Sequence, residues 1–207
     1  MTPESPTARV GSVRGGSGAG LGRVELNLTE DETHALQTFA RTAQCTLGTL
    51  VTAAWALLLS RYTGEGDVLF GVTRACRHST IDGADEMVGL FINTLPFRTE
   101  VSEDSTVFEW LAKLRAAQTA LREHEHTPLA RIQAWSDVPR GTPLFDTLVV
   151  FENEQLESAL QHQGGTWANR RFSYQGQTNY PVTLVCYADR QMILSLEYDS
   201  EHLDGEN

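Results

Sequence analysis

From Val24 onward, the apolar residues of this sequence repeat with two different periods, and the order of those periods limits the fold more than any other feature. Apolar residues at every second position, or in short unbroken runs, indicate strands, whereas spacings of three and four residues indicate amphipathic helices. The order is strand, two helices, two strands, helix, strand and a final hairpin, without an internal repeat. Such a mixture predicts an α/β or α+β fold with helices packed on a mixed sheet.

Several elements carry recognisable start and stop signals. The pairs Thr29/Glu32 and Thr106/Glu109 have capping-box spacing, and Gly64 suits a left-handed helix end. We predict a helix that begins near Thr29, with further helices at 47–62 and 107–124, and strands at 24–28, 68–72, 90–95, 145–151, 182–187 and 192–198.

Four local expectations follow from the same patterns. Helix 47–62 is apolar almost all round and should be buried, and the stripe of helix 107–124 should contain Trp110 and Leu114. Pro96 should end the strand at 90–95, because proline cannot donate a backbone hydrogen bond. Thr127 and Pro128 should cap and open a short helix.

Residues 1–22 differ from the rest in composition. They hold six of the 17 glycines and two of the seven prolines, with almost no large apolar side chain. We therefore predict a flexible leader at 1–22 and one globular region at 23–207. The glycines at 15–20 match no frame of GxGxxG, so a dinucleotide-binding loop is not indicated.

The charge and the cysteines exclude some partners and locations. The formal net charge is −11, which argues against nucleic acid or an anionic membrane as a partner. Cys45, Cys76 and Cys186 are odd in number and form no CxxC, so neither a disulfide framework nor a zinc site is expected. Without a secretory or membrane-spanning pattern, the expected location is the cytoplasm.

The common catalytic motifs GxSxG, GxxxxGK[ST] and HExxH do not occur. Residues 87–98, however, read MVGLFINTLPFR and resemble the (I/V)GxFxNTxxxR signature of nonribosomal peptide synthetase condensation domains. Four more segments resemble blocks of that family in order, with Glu125 standing where glutamine is usual: 46–62 with 67–71, 124–130, 138–153 and 179–184. The resemblance extends over nearly all of 24–204.

The resemblance implies a chloramphenicol acetyltransferase-like fold, in which two lobes form a V-shaped pseudodimer around a tunnel. Residues 23–207 would be the C-terminal, acceptor-side lobe. In this family an acceptor amine attacks a donor thioester, and both substrates hang on phosphopantetheine arms of carrier proteins. The implied partners are an N-terminal lobe, a peptidyl or acyl carrier protein and adjacent synthetase domains, and the chain itself would bind no cofactor.

The family's key histidine, the second of HHxxxDG, belongs to the N-terminal lobe, so the lone chain is expected to be inactive. Residues 77–83 read RHSTIDG and reproduce that motif except that Arg77 replaces its first histidine. They nevertheless lie in the loop where the family carries a "GRP" segment, with Cys76 and His78 replacing its glycine and proline. We therefore interpret His78 as a coincidental match and assign no catalytic residue.

Asn93 and Arg77 are the candidate substrate-binding residues. Asn93 interrupts an apolar strand, and two interpretations stay open: it bonds neighbouring backbone, or it lines the tunnel near the thioester, as the resemblance implies. Arg77 takes the "GRP" arginine position, which implies a tie between lobes or an acceptor contact, unless it is simply a solvated loop residue. Arg98 is expected to be structural, and a metal site at His124 and His126 is only a weak hypothesis.

Two other functions remain as alternatives. The chain could be a degenerate, non-catalytic module that holds a carrier protein or stabilises a synthetase neighbour. It could also be a CoA-dependent acyltransferase of the chloramphenicol-acetyltransferase type, although it lacks an acceptable HHxxxD. If a second lobe is required, the face that meets it should be an exposed apolar patch.

Overall fold

The computed structural model describes residues 20–77, 82–84, 86–139, 141–152, 165 and 178–200. Among these residues, six strands and four α-helices follow one another in the predicted order. The strands are β1 (Leu21–Asn27), β2 (Asp67–Arg74), β3 (Asn93–Glu100), β4 (Thr147–Glu152), β5 (Val182–Ala188) and β6 (Met192–Asp199). The helices are α1 (Glu30–Thr42), α2 (Leu47–Thr63), α3 (Val107–Leu121) and α4 (Leu129–Trp135).

The strands form a mixed sheet in the hydrogen-bonded order β1-β6-β5-β4-β2-β3. β2 pairs antiparallel with β3 and parallel with β4. β6 pairs antiparallel with both β1 and β5, so β5 and β6 are the predicted hairpin. The predicted fold class, α/β with helices packed on a mixed sheet, is confirmed.

The prediction for the strand at 90–95 was wrong. β3 begins at Asn93 and continues to Glu100, so Pro96 lies inside it, opposite Gly71 of β2. Among the described strands, β3 lies at the end of the sheet, and an edge strand tolerates proline because the missing N–H can fall on the unpaired side. Arg98 also lies within β3, and its guanidinium binds both carboxylate oxygens of Asp67 at 2.6–3.0 Å.

The helix signals were mostly reliable. Both capping boxes form, with the Thr29 and Thr106 backbone N–H groups donating to Glu32 and Glu109 at 2.8 and 2.9 Å. Gly64 ends α2 with a φ of 77°. Thr127 does not cap α4, because Pro128 itself takes the N-cap position and makes no side-chain cap bond. α3 stops at Leu121 and continues as a 3₁₀ turn at Arg122–His124.

The backbone packs as two compact units, Ala40–Val149 and, among the described residues, 20–39 with 150–200. In the first unit, Phe70 and Phe97 meet at 5.7 Å between ring centroids. Trp55 of α2 is 5% exposed, and its indole N–H donates to the Thr147 hydroxyl at 3.2 Å, so it lies in the core. The most buried large residues here are Val68, Phe70, Leu95, Leu111 and Leu114.

Two predicted faces differ from the observed ones. α2 buries Val51, Trp55 and Leu59, but Leu58 and Tyr62 remain more than half exposed, so the helix is buried on one side only. α3 buries Leu111 and Leu114, whereas Trp110 is half-buried and donates to the Glu100 carbonyl. The apolar residues of a helix show which of its faces could be buried. They do not show which of those faces another element covers.

In the second unit, Thr33 of α1 joins the helix to the strands. Its hydroxyl accepts from the Met192 N–H at 2.9 Å and donates to the Thr29 carbonyl at 2.8 Å. Cys186 of β5 is fully buried, and that burial raises the pKa of its thiol to about 12. This thiol is therefore structural, because a nucleophilic cysteine needs an accessible thiolate.

Gly71 is required by close packing at the middle of β2. A Cβ there would clash with the Phe145 ring and lie 2.9 Å from Leu148. Gly71→Ala should lower the free energy of unfolding by about 1–3 kcal/mol, measured by urea denaturation. Gly66→Ala is the matched control, since its Cβ would meet only the Val101 carbonyl at 3.4 Å. Equal stability of the two variants would contradict the packing argument.

Candidate functional site

The candidate site lies in the first unit, where β2 ends and β3 begins. Arg74, the last residue of β2, pairs with Asn93, the first residue of β3. The chain between them leaves the sheet at Cys76, whose φ of 48° is uncommon for a residue other than glycine. The turn between α3 and α4, at residues 125–128, lies against both strand ends. Three chain segments therefore converge at this edge of the sheet.

Asn93 joins two of these segments by hydrogen bonds. Its Nδ2 donates to the backbone carbonyls of Glu125 and Thr127, both at 2.8 Å. Its Oδ1 accepts from the Thr94 N–H at 3.0 Å. Both amide hydrogens and one oxygen lone pair are thus used within the protein, which explains why a carboxamide is stable at the start of this strand.

Cys76 adds a second link to the same turn. Its thiol lies 3.2 Å from the Glu125 carbonyl and 3.3 Å from the Arg74 carbonyl, and can donate to either. Burial raises the pKa of Cys76, and the nearby Glu125 carboxylate raises it further. A thiol held neutral in this way is a poor nucleophile. Cys76 is therefore part of the framework of the site.

A pocket of about 260 Å³ opens between these segments. Its apolar side consists of residues 90–92 and Pro128, and its polar side of Cys76, Asn93, Glu125 and His126. That volume holds a group of amino-acid size, and it is below the usual range for a drug-sized ligand. The pocket combines an apolar wall with one convergent set of polar atoms, and it is widely open to solvent.

Glu125 supplies a buried carboxylate to this pocket. Its side chain is 4% exposed, and its Oε2 lies 3.5 Å from Arg74 Nη2. His126 Nε2 lies 4.0 Å from Oε1, beyond hydrogen-bonding distance. A carboxylate this far from water needs a compensating cation or donor, and Arg74 is that cation.

Arg77 bonds to described residues of the segment between β2 and β3. Its Nη1 donates to the carbonyls of Ala84 and Met87 at 3.0 and 2.9 Å. Its guanidinium carbon lies 4.6 Å from the centroid of the Phe91 ring, a cation–π distance. Arg77 is therefore not a freely solvated loop residue. It supports Phe91, which lines the pocket, without lining the pocket itself.

An apolar rim borders the pocket. Val88, Leu90 and Ile92 are 104%, 91% and 60% exposed. Large apolar side chains this close together and this exposed are unusual on a surface that meets only water. The rim lies in the segment that carries the GxFxNT resemblance.

The site contains one predicted residue and several that sequence reasoning missed. Asn93 lines the pocket and Arg77 braces one of its walls, while their roles toward substrate stay predictions. His78 lies outside the described residues. Glu125 was recognised only as a departure from the family's usual glutamine, and that departure was the one available signal for a buried charge. Nothing in the sequence singled out Arg74.

Two general findings concern the described residues only. Among them, no group of three or more His, Cys, Asp and Glu side chains is placed to hold a metal ion, and this includes the surroundings of His124 and His126. In the same residues, no single helix has the length and apolar character needed to cross a membrane, and only the bent pair α1 and α2 meets that criterion jointly.

Comparison with known proteins shows which family has this architecture. The family model "Condensation domain" matches residues 17–206. A linear gramicidin synthase protein of Brevibacillus parabrevis is 41% identical over 182 residues, and chondramide synthase cmdD of Chondromyces crocatus is 43% identical over 176. These matches cover 88% and 85% of this chain, but the chain spans only 2% and 4% of those relatives.

Solved structures agree on the fold. The condensation domain of Monacolin K polyketide synthase MokA has a TM-score of 0.73 at 18% identity, with 97% of this chain and 49% of that chain covered. The first condensation domain of the CDA synthetase gives 0.70 at 18% identity, covering 99% and 44%. This chain thus has the mixed α/β fold of condensation domains. The chain belongs to the condensation-domain family, with relatives among nonribosomal peptide synthetases.

Proposed function

We propose that this chain forms the acceptor-side, C-terminal lobe of a nonribosomal peptide synthetase condensation domain. With an N-terminal lobe that bears HHxxxDG, it would join two carrier-bound thioesters through an amide bond. Its partners would be that lobe, a peptidyl or acyl carrier protein and neighbouring synthetase domains, in the cytoplasm. The phosphopantetheine arms belong to the carrier proteins and enter as parts of the substrates.

The proposal is supported by the share of the solved condensation domains that this chain covers, combined with the exposed apolar surface beside its pocket. Two solved condensation domains match nearly all of this chain, while the chain covers 49% and 44% of them. The pocket at the ends of β2 and β3 opens beside the exposed rim of Val88, Leu90 and Ile92. A rim of this kind would be buried by a second lobe, and a second wall would turn the open pocket into a closed chamber.

A closed chamber matters because condensation depends mainly on positioning. Two thioesters must be held so that the amine nitrogen lies near the carbonyl carbon, and water must be kept out to prevent thioester hydrolysis. One lobe alone leaves its half of the pocket open to solvent. It also lacks the histidine that the family places beside the reacting amine. We therefore expect no amide formation by this chain alone.

The test is complementation of the chain with an N-terminal lobe that carries HHxxxDG, in the presence of donor- and acceptor-loaded carrier proteins. Dipeptidyl thioester, measured by mass spectrometry of the carrier protein, should appear only when both lobes are present. The matched control is the same N-terminal lobe with its second motif histidine replaced by alanine, which should reduce the product by at least ~100-fold.

Other outcomes would favour the alternative functions. Robust condensation by the chain alone would contradict the two-lobe proposal and would make His78 a candidate catalytic residue. Carrier-protein binding without product, even with an active N-terminal lobe, would favour a non-catalytic binding module. Acyl transfer from CoA to a small amine would favour the acyltransferase alternative. Each function gives a different result in these assays, so the three functions are separable.

A further inference from the structure

The pocket contains a carboxylate whose hydrogen-bonding capacity is mostly unused by the residues that the structure describes. Of the residues that the structure describes, Arg74 is the one that donates to the Glu125 carboxylate, and it reaches only Oε2, at 3.5 Å. An ionised carboxylate can accept about four hydrogen bonds. Within the described part of the chain, Glu125 Oε1 therefore has no donor, since His126 Nε2 is 4.0 Å away.

Glu125 lines the pocket together with Cys76, Asn93 and His126. Its side chain is only 4% exposed, so bulk water can supply few hydrogen bonds to the carboxylate. A ligand that enters the pocket therefore meets a carboxylate with one oxygen that no described donor reaches.

The surrounding groups limit what Oε1 can bind. The nearby carbonyls of Glu125 and Thr127 already accept from Asn93, so the carboxylate is the strongest acceptor left for a ligand. Arg74 offsets the carboxylate charge and would repel a cation, which favours a donor that can also bind uncharged. The apolar side, made by residues 90–92 and Pro128, suits carbon atoms attached to that donor. A primary amine on a short carbon chain meets all three conditions.

We propose that Glu125 Oε1 accepts an N–H from the amine of the acceptor substrate and so holds that amine in the pocket. This inference rests on the proposed function and names its substrate group. The amine can be the α-amine of the acceptor aminoacyl group or an amine on its side chain. Glu125 acts here by binding and orienting the amine, and Arg74 offsets the charge of the carboxylate and holds it in place.

The experiment measures binding of a stable acceptor mimic to the full chain by isothermal titration calorimetry. The probe is alanyl-aminopantetheine, in which an amide replaces the thioester. Glu125→Gln keeps the size and shape of the side chain but removes its charge, and it should weaken binding by roughly tenfold. Glu123→Gln, which removes an exposed charge from the preceding 3₁₀ turn, should leave the affinity within about twofold of the wild type.

Two further probes distinguish the sources of the amine. N-acetyl-alanyl-aminopantetheine carries no amine and should bind weakly to wild type and to Glu125→Gln alike. Nα-acetyl-lysyl-aminopantetheine carries only a side-chain amine, and if it loses affinity in Glu125→Gln while the alanyl probe does not, the pocket holds a side-chain amine. A thermal melt of each variant shows that the fold is retained.

The inference would be overturned by two results together. The wild type would bind the alanyl probe and its N-acetyl form with equal affinity, and Glu125→Gln would leave the affinity for the lysyl probe unchanged. Failure of every probe to bind would overturn it as well. The lobe complementation measures product rather than amine binding. Product formation with no effect of Glu125→Gln would therefore reject the role of Glu125 and leave the two-lobe function standing.

Discussion

Asn93→Asp should destabilise this protein strongly at neutral pH, although it exchanges a single NH₂ group for oxygen. The Nδ2 of Asn93 donates to two backbone carbonyls at 2.8 Å. A carboxylate in its place brings negative oxygen against two carbonyl oxygens that have lost the Asn93 amide as a donor. Each unsatisfied buried acceptor costs about 1–3 kcal/mol, so we expect a loss of about 3–5 kcal/mol in the free energy of unfolding at pH 7.

The pH dependence of that loss tests its cause. A neutral carboxyl can donate one hydrogen bond to a carbonyl, so the folded state should raise the pKa of Asp at this position above its unfolded value of about 3.9. A group with a raised folded pKa contributes stability below its unfolded pKa and loses that contribution as the pH rises through the folded pKa. The deficit should therefore be complete at pH 7 and shrink as the pH falls toward 4.

The measurement is urea denaturation of Asn93→Asp and of wild type between pH 4 and 8. Asn27→Asp is the matched control, because it makes the same chemical change at an exposed position of β1 and should cost less than about 0.5 kcal/mol. A deficit that is small, or that does not change with pH, would show that Asn93 does not hold the turn. In the two-lobe assay, Asn93→Ala should lower dipeptide formation, since it removes the same two bonds.

The sequence predicted the order of the elements because periodicity and capping pairs are local signals. Thr29 with Glu32 and Thr106 with Glu109 are complete within four residues, and both form as expected. The start of β3 was not predictable in the same way. The residues before Asn93 are apolar enough for a strand, and only their pairing partners determine that the ladder begins at Asn93 opposite Arg74.

Burial of charge was also beyond the sequence. Residues 124–126 read His-Glu-His, which is typical of a solvated turn, yet Glu125 is among the most buried polar residues in the described chain. What buries it is the approach of two strand ends that lie 32 and 51 positions away along the chain, at Asn93 and Arg74. A motif can locate Asn93 in the site, but non-local packing determines which neighbours it meets.

Arg74→Met should also have a large effect, and this chain offers a direct comparison with a second arginine–carboxylate pair. Removal of Arg74 leaves the Glu125 carboxylate 4% exposed and without its cation. Breaking a buried pair from one side costs about 3–5 kcal/mol, and the partial exposure of Arg74 lowers our expectation to about 2–4 kcal/mol. Arg98→Met removes a shorter, two-oxygen pair with Asp67, but its members are 59% and 37% exposed. Water would compensate there, so we expect a loss below about 1 kcal/mol.

The double variant Arg74→Met/Glu125→Met separates the cost of a stranded charge from the value of the pair. Because both charges are then absent and apolar groups fill their places, it should recover most of the stability that Arg74→Met loses. Urea denaturation at pH 7 measures all four members of the cycle. If Arg98→Met proved the more damaging substitution, contact distance rather than burial would govern these pairs. If the double variant were no more stable than Arg74→Met, the Glu125 carboxylate would not be the source of the lost stability. That result would also contradict our assignment of Glu125 as the unsatisfied acceptor of the pocket.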